Sequence, residues 1–150
     1  MEKEDTMSRI PEQGYPDNNP KTFMGSKKPS MQSIPQVPLV ELGVRMGHGA
    51  DKYGGFNWRH LPISSSVYIG AMMRHVAAFA DGEWYDPDCP YGTSHLAAVM
   101  ASAALLLDGF HSGRINDDRP PSAPSADMIA YFEKHGRLPR PKGLEVQDER

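Results

Sequence analysis

Side chains able to bind a divalent cation crowd one stretch, "RHVAAFADGEWYDPDCPYGTSHLAA", and His75, Glu83, Asp86 and His95 are the candidates among them. Imidazole nitrogens and carboxylate oxygens form a donor set of intermediate hardness, suited to a small divalent ion. The order matters. His75 reads as part of a helix, His95 opens the next one, and Asp81, Glu83, Asp86 and Asp88 lie in the loop between. A loop leaving one helix end and entering the next keeps all these groups at one end of a bundle. His75 precedes Ala80 by five residues, so it sits roughly 7–8 Å below the helix end at 1.5 Å per residue. Glu83 or Asp86 reaches it only if the loop folds back across the bundle. Plainer readings stay open. His75 alone is equally a core histidine bonded to a neighbouring helix, and His95 alone a helix-start donor to a loop carbonyl. The whole set is then a polar network closing the bundle, because no fixed-spacing metal motif is present.

A second cluster is "KYGGFNWRH", residues 52–60. Gly54-Gly55 excludes a buried strand, and each glycine costs a helix roughly 1 kcal/mol, so a loop is expected. It presents Lys52, Tyr53, Asn57, Trp58 and Arg59, cationic and aromatic groups that suit an anionic, planar ligand such as a nucleotide. It is equally readable as a corner in which Trp58 plugs the core and the charges face water. Other candidates are weaker. Asp108 near a helix C-terminus opposes the dipole and calls for a cation or metal partner. Cys89 has no base beside it in sequence, Ser102 is expected to bond back to its own helix, and His48 and His60 are expected to be solvated.

The elements that must position these groups follow from periodicity. Leu39, Leu42, Val44, Met46 and Ala50 form a helical stripe, with Pro38 at the first helical position and Gly54 after Tyr53 as the stop. A second helix, "VYIGAMMRHVAAFA", starts after a serine cap among Ser64–Ser66 and stops at Gly82. A third, "HLAAVMASAALLLDGF", capped by Thr93 or Ser94, is apolar nearly all round and is expected to be central and buried. A shorter fourth spans 126–135 after a Ser125 cap. No strand is expected. The fold class is all-α: a small helical bundle of three main helices plus a short fourth, with extended N- and C-terminal tails. The expected division is a flexible tail over 1–27, a helical domain over 28–113, and a C-terminal linker, short helix and tail over 114–150.

Composition bounds the function. A net charge of −3 over 150 residues argues against non-specific nucleic-acid binding, which needs a basic surface to release counterions. One cysteine excludes an internal disulfide. No long uncharged apolar run or secretory leader is seen, so a cytoplasmic protein is expected. The unit able to bury a core is small enough that a homo-oligomer is expected.

In order, Lys28-Pro29, Gly49-Ala50 with Lys52-Tyr53-Gly54, Asn57-Trp58-Arg59, Arg74-His75, Gly82-Glu83 with Asp86, and His95-Leu96-Ala97 resemble the phage-encoded family named dATP/dGTP diphosphohydrolase, N-terminal domain. The resemblance covers about Ser26 to Gly109. It implies metal-dependent hydrolysis of dATP or dGTP to a monophosphate and pyrophosphate, with Mg²⁺ or Mn²⁺ as cofactor. His75, Glu83, Asp86 and His95 would hold the metal, with Glu83, Asp86 and His75 catalytic. Lys52, Arg59 and Arg74 would take phosphate oxygens, Tyr53 or Trp58 would stack on the purine, and Asn57 would read its edge. Two departures are visible: Ala98 stands where the family usually has another histidine, and "PDCPYGTS" replaces the usual Glu-Ser-Gly turn. The alternative reading is an accessory protein that binds a nucleotide or a partner through the same loop without catalysis.

Overall fold

The computed structural model describes residues 19–139. The element order is α1 (Pro20–Ser26), a 3-10 turn (Met31–Ser33), α2 (Gln36–Tyr53), α3 (Asn57–His60), β1 (Ile63–Ser64), α4 (Ser65–Ala80), α5 (His95–His111), β2 (Ile115–Asn116) and α6 (Ser125–His135). The protein is predominantly helical, a small all-α bundle. Residues 20–26 of the segment expected as a flexible tail form α1, capped by the Asn19 side chain, which accepts from Lys21 N–H. Residues 1–18 and 140–150 lie outside the described residues.

α2 begins two residues earlier than expected, with Pro35 as an extended cap. Pro38 is therefore the third helical residue, still inside the first turn, where a backbone N–H has no helical acceptor. Gly54 ends the helix at φ 85°, its N–H bonded to Ala50 O at 2.8 Å. Next, Phe56 holds a left-handed φ of 55°, uncommon for a bulky residue. The chain then enters the single turn of α3, where only a loop was expected.

α5 is the hub, and both α4 and α2 pack chiefly against it. Its packed side is alanine: Ala97, Ala98 and Ala101 are buried. Small side chains let the neighbouring helices approach, and adding methylenes at such positions typically costs about 1–3 kcal/mol. α5 is central as expected but only partly buried, since Leu107 is 63 % and Phe110 68 % exposed. Two neighbouring helices cannot cover the whole circumference of so apolar a helix. The expectation of no strand is also corrected. Ile63 pairs in parallel with Ile115, and Ser64 with Asn116. At Gly109, where β1 crosses α5, a Cβ would stand 3.3 Å from Ile63 Cδ1. The Asp118 carboxylate accepts from Ser66 N–H at 2.8 Å and from the Ser66 hydroxyl, fastening the segment after β2 to the start of α4. α6 ends at Gly136, which has φ 65°, and leaves Ile129 and Phe132 exposed.

Candidate active site

The loop between α4 and α5 does fold back. Asp86 N–H bonds to Thr93 O at 3.0 Å and His95 N–H to Trp84 O at 3.1 Å, closing an antiparallel bridge between Tyr85 and Ser94. Inside this turn Cys89 N–H bonds to Asp86 O, and Asp86 is buried. As a result one donor atom from each of His75, Asp86 and His95 lies within 4.8 Å of the others. These three, drawn from α4, the loop and α5, can hold a metal ion.

The details fit a divalent ion. His75 Nδ1 and His95 Nδ1 stand 2.9 Å apart. Two imidazole nitrogens bound at right angles to one ion, each at about 2.1 Å, stand about 3 Å apart. Without an ion, one ring must donate and the other accept. His95 Nε2 is buried without a hydrogen bond and lies 3.4 Å from Glu83 Oε2. This is where a carboxylate orients a ligating imidazole through its other nitrogen. Glu83 itself is about half exposed and outside the converging set. Burial pushes the His75 pKa down; nearby Asp86 pulls the other way, while Arg45, His95 and Arg74 add to the depression. The shift favours the neutral imidazole, the form a ligand needs. Burial raises the Asp86 carboxyl, but the Asp88 amide, the Arg45 guanidinium and His75 outweigh it and leave the pKa below the ordinary value.

Beside this cluster is a cavity of about 490 Å³, within the range of small-molecule sites. α2 and α4 form its walls, α5 its floor and α3 one end. The floor residues Ala98, Ala101, Ser102 and Leu105 repeat at helical spacing. They continue the face that begins with His95 and ends with Asp108, a run of about 20 Å along the axis. Lys52, Tyr53, Asn57, Trp58, Arg74 and His75 all line it, together with Arg45 and Tyr68.

Arg59 is placed differently. It does not line the cavity; its Nε and Nη2 bind the two Asp108 oxygens at 2.6 Å each, and Trp58 Nε1 donates to Asp108 Oδ2 at 2.6 Å. Asp108 thus has the cationic partner expected of it. The aromatic-cationic turn sits at the far end of the groove from the histidines rather than over them. His48, expected to be solvated, is 7 % exposed and meets Tyr91 edge-on at 5.7 Å, because the folded-back loop covers its face of α2. His60 is exposed, as expected.

Sequence reasoning missed the polar face of α2. Glu41 accepts from Ser94 N–H at 3.1 Å and Ser94 Oγ at 2.6 Å, while Ser94 Oγ caps Ala97 N–H. Arg45 pairs with Asp86, and Asp51 accepts from the Tyr91 hydroxyl at 2.7 Å. Glu41, Arg45, His48 and Asp51 recur every three or four residues, so one helix face clamps the loop at each turn. That spacing was the available signal.

In this small all-α domain two histidines and an aspartate converge beside a groove lined by cationic and aromatic side chains, an arrangement compatible with a bound metal ion. The chain belongs to the dATP/dGTP diphosphohydrolase, N-terminal family, whose match spans residues 18–119, more than half of its length. No curated protein and no solved structure matches it. Among the described residues, no helix is long and apolar enough to cross a membrane.

Proposed function

We propose that this protein hydrolyses dATP or dGTP to the monophosphate and pyrophosphate, with Mg²⁺ or Mn²⁺ held by His75, Asp86 and His95. The observation that carries the reading is the convergence of these three side chains at the margin of a cavity lined by three cations, Arg45, Lys52 and Arg74. The bound ion would supply positive charge to the phosphates and acidify a nearby water. The chain's own residues do the rest. Arg74 and Lys52 hold phosphate oxygens, Tyr53 or Trp58 stacks on the purine, and Asn57 reads its edge. Water attacks the α-phosphorus, the bond to the bridging oxygen breaks, and pyrophosphate leaves. Glu83, exposed beside His95, orients that ring and accepts the proton of the water. Arg59 acts through Asp108 as a strut that fixes Trp58, in place of the direct phosphate contact expected from sequence. The exposure of Leu107 and Phe110 on the uncovered side of α5 supports a homo-oligomer in which copies of the chain associate there.

A second reading, nucleotide binding without catalysis, draws on one observation: Asp86 is already paired with Arg45 and hydrogen-bonded to Asp88 N–H. Incubation with dATP or dGTP and Mg²⁺, Mn²⁺ or Co²⁺, with products separated by chromatography, decides between them. Hydrolysis gives monophosphate and pyrophosphate. Bound but intact triphosphate with every metal means a binder.

A further inference from the structure

Among the described residues, Arg45 is the one that both lines the cavity and touches the metal-ligand cluster as an ion-pair partner. Its guanidinium holds Asp86 Oδ2, with the two side chains 17 % and 3 % exposed. The other Asp86 oxygen accepts from Asp88 N–H at 3.0 Å. Both oxygens of the only carboxylate in the cluster are therefore engaged. A divalent ion bound to that carboxylate would lie within about 5 Å of the guanidinium, and like charges repel strongly at this range in a partly buried site. Free metal should bind poorly while Arg45 stays where it is. Simply removing the arginine is not a neutral remedy, since a buried Asp86 without a counter-charge is costly.

A triphosphate resolves the conflict. It brings several negative charges into the same cavity, and a guanidinium fork matches phosphate oxygens as well as it matches a carboxylate. Arg45 extends from α2 on a long flexible stem, so turning from Asp86 toward the cavity requires side-chain rotation and no helix movement. We propose that Arg45 is an exchangeable counter-charge, holding Asp86 while the site is without ligand and passing to the triphosphate when metal and nucleotide enter together. Metal and nucleotide then bind cooperatively, each tightening the other by the same factor. The inference rests on the nucleotide reading above and adds to it a residue and an order of binding.

The test is Mn²⁺ binding to the full chain, followed by the free-ion paramagnetic resonance signal, with and without α,β-methylene-dATP and corrected for the analogue's own Mn²⁺ binding. Wild type is compared with Arg45→Gln, which keeps a hydrogen-bond donor but removes the charge, and Arg45→Lys, which keeps the charge. The expected result is weak Mn²⁺ binding by wild type alone, tightened about tenfold or more by the analogue. Arg45→Gln should bind Mn²⁺ alone about tenfold or more tightly than wild type and lose most of the analogue's effect. Arg45→Lys should stay close to wild type. Arg45→Gln that is folded by circular dichroism yet binds Mn²⁺ no better than wild type overturns the proposal. So does an analogue effect below about twofold in wild type, a readout that requires no variant to fold. His75→Ala and His95→Ala separate the two levels: if they leave Mn²⁺ binding unchanged, the functional reading itself is overturned, and the role of Arg45 with it.

Discussion

The two ends of the groove handle charge in opposite ways. At the start of α5, Asp86 and His95 are buried, tied into a folded-back loop, and one imidazole nitrogen has no hydrogen bond. Near its C-terminus, both Asp108 oxygens accept hydrogen bonds, from Trp58 Nε1 and from Arg59 Nε and Nη2, and both members of its ion pair are about a third or more exposed. Burying polar groups without fully pairing them is unfavourable, and two imidazole nitrogens 2.9 Å apart beside a buried carboxylate form a grouping that a bound cation would relieve. An exposed carboxylate with donors on both oxygens needs no such explanation and reads as a strut. On the proposed reading the first end carries the chemistry and the second positions it.

Substitutions should therefore have unequal effects. Asp86→Ala should be the most damaging, because it leaves the Arg45 guanidinium without its partner; about 3 kcal/mol is expected by urea denaturation, together with loss of metal binding. Glu41→Ala comes next. It removes the acceptor for both donors of Ser94, so roughly 1.5 kcal/mol should be lost, and metal binding should weaken because the start of α5 is no longer held. Comparable metal affinity in Glu41→Ala and wild type would show that the clamp does not position His95.

At the other end, Trp58→Ala should weaken nucleotide binding about tenfold, the scale of one base–aromatic contact, and leave Mn²⁺ binding intact in equilibrium dialysis. The pH dependence is smaller and belongs to the histidine end. His75 has a pKa below its ordinary 6.5 in the folded chain, so as pH falls below that value the unfolded chain takes up a proton before the folded one. Stability should be full above pH 6.5 and decline as pH falls toward the folded pKa. Asp86, also depressed, adds its own loss only below its ordinary 3.8. Urea midpoints at pH 8, 7 and 5.5 check this, and a midpoint that rises on acidification would contradict it. Arg59→Ala should do least, with melting near that of wild type and a modest rise in KM, since exposed ion pairs contribute little.

The histidine end was largely legible in the sequence because its parts are close in the chain. A helix end, a short loop and a helix start must lie together, so His75, Asp86 and His95 could be grouped by connectivity alone. The α2 face was not, because Glu41, Arg45 and Asp51 resemble a solvated helix face until a loop more than thirty residues later covers them. The same limit explains Arg59. Its charge was legible, but its partner stands 49 residues away, and nothing local separates a phosphate ligand from a strut. The two-residue strands escaped notice because so short a segment carries no alternation to read. The uncovered side of α5 was invisible for a further reason: an apolar helix says that it wants covering, not whether its own chain supplies the cover.

The most direct test of the central claim is pulsed paramagnetic resonance on Mn²⁺ bound to the protein with α,β-methylene-dATP, looking for nitrogen couplings from imidazole. Wild type should show them, and the double variant His75→Ala, His95→Ala should lose them. A wild-type spectrum with phosphorus couplings but no imidazole nitrogen would mean the ion is held by the nucleotide alone, and would contradict the account.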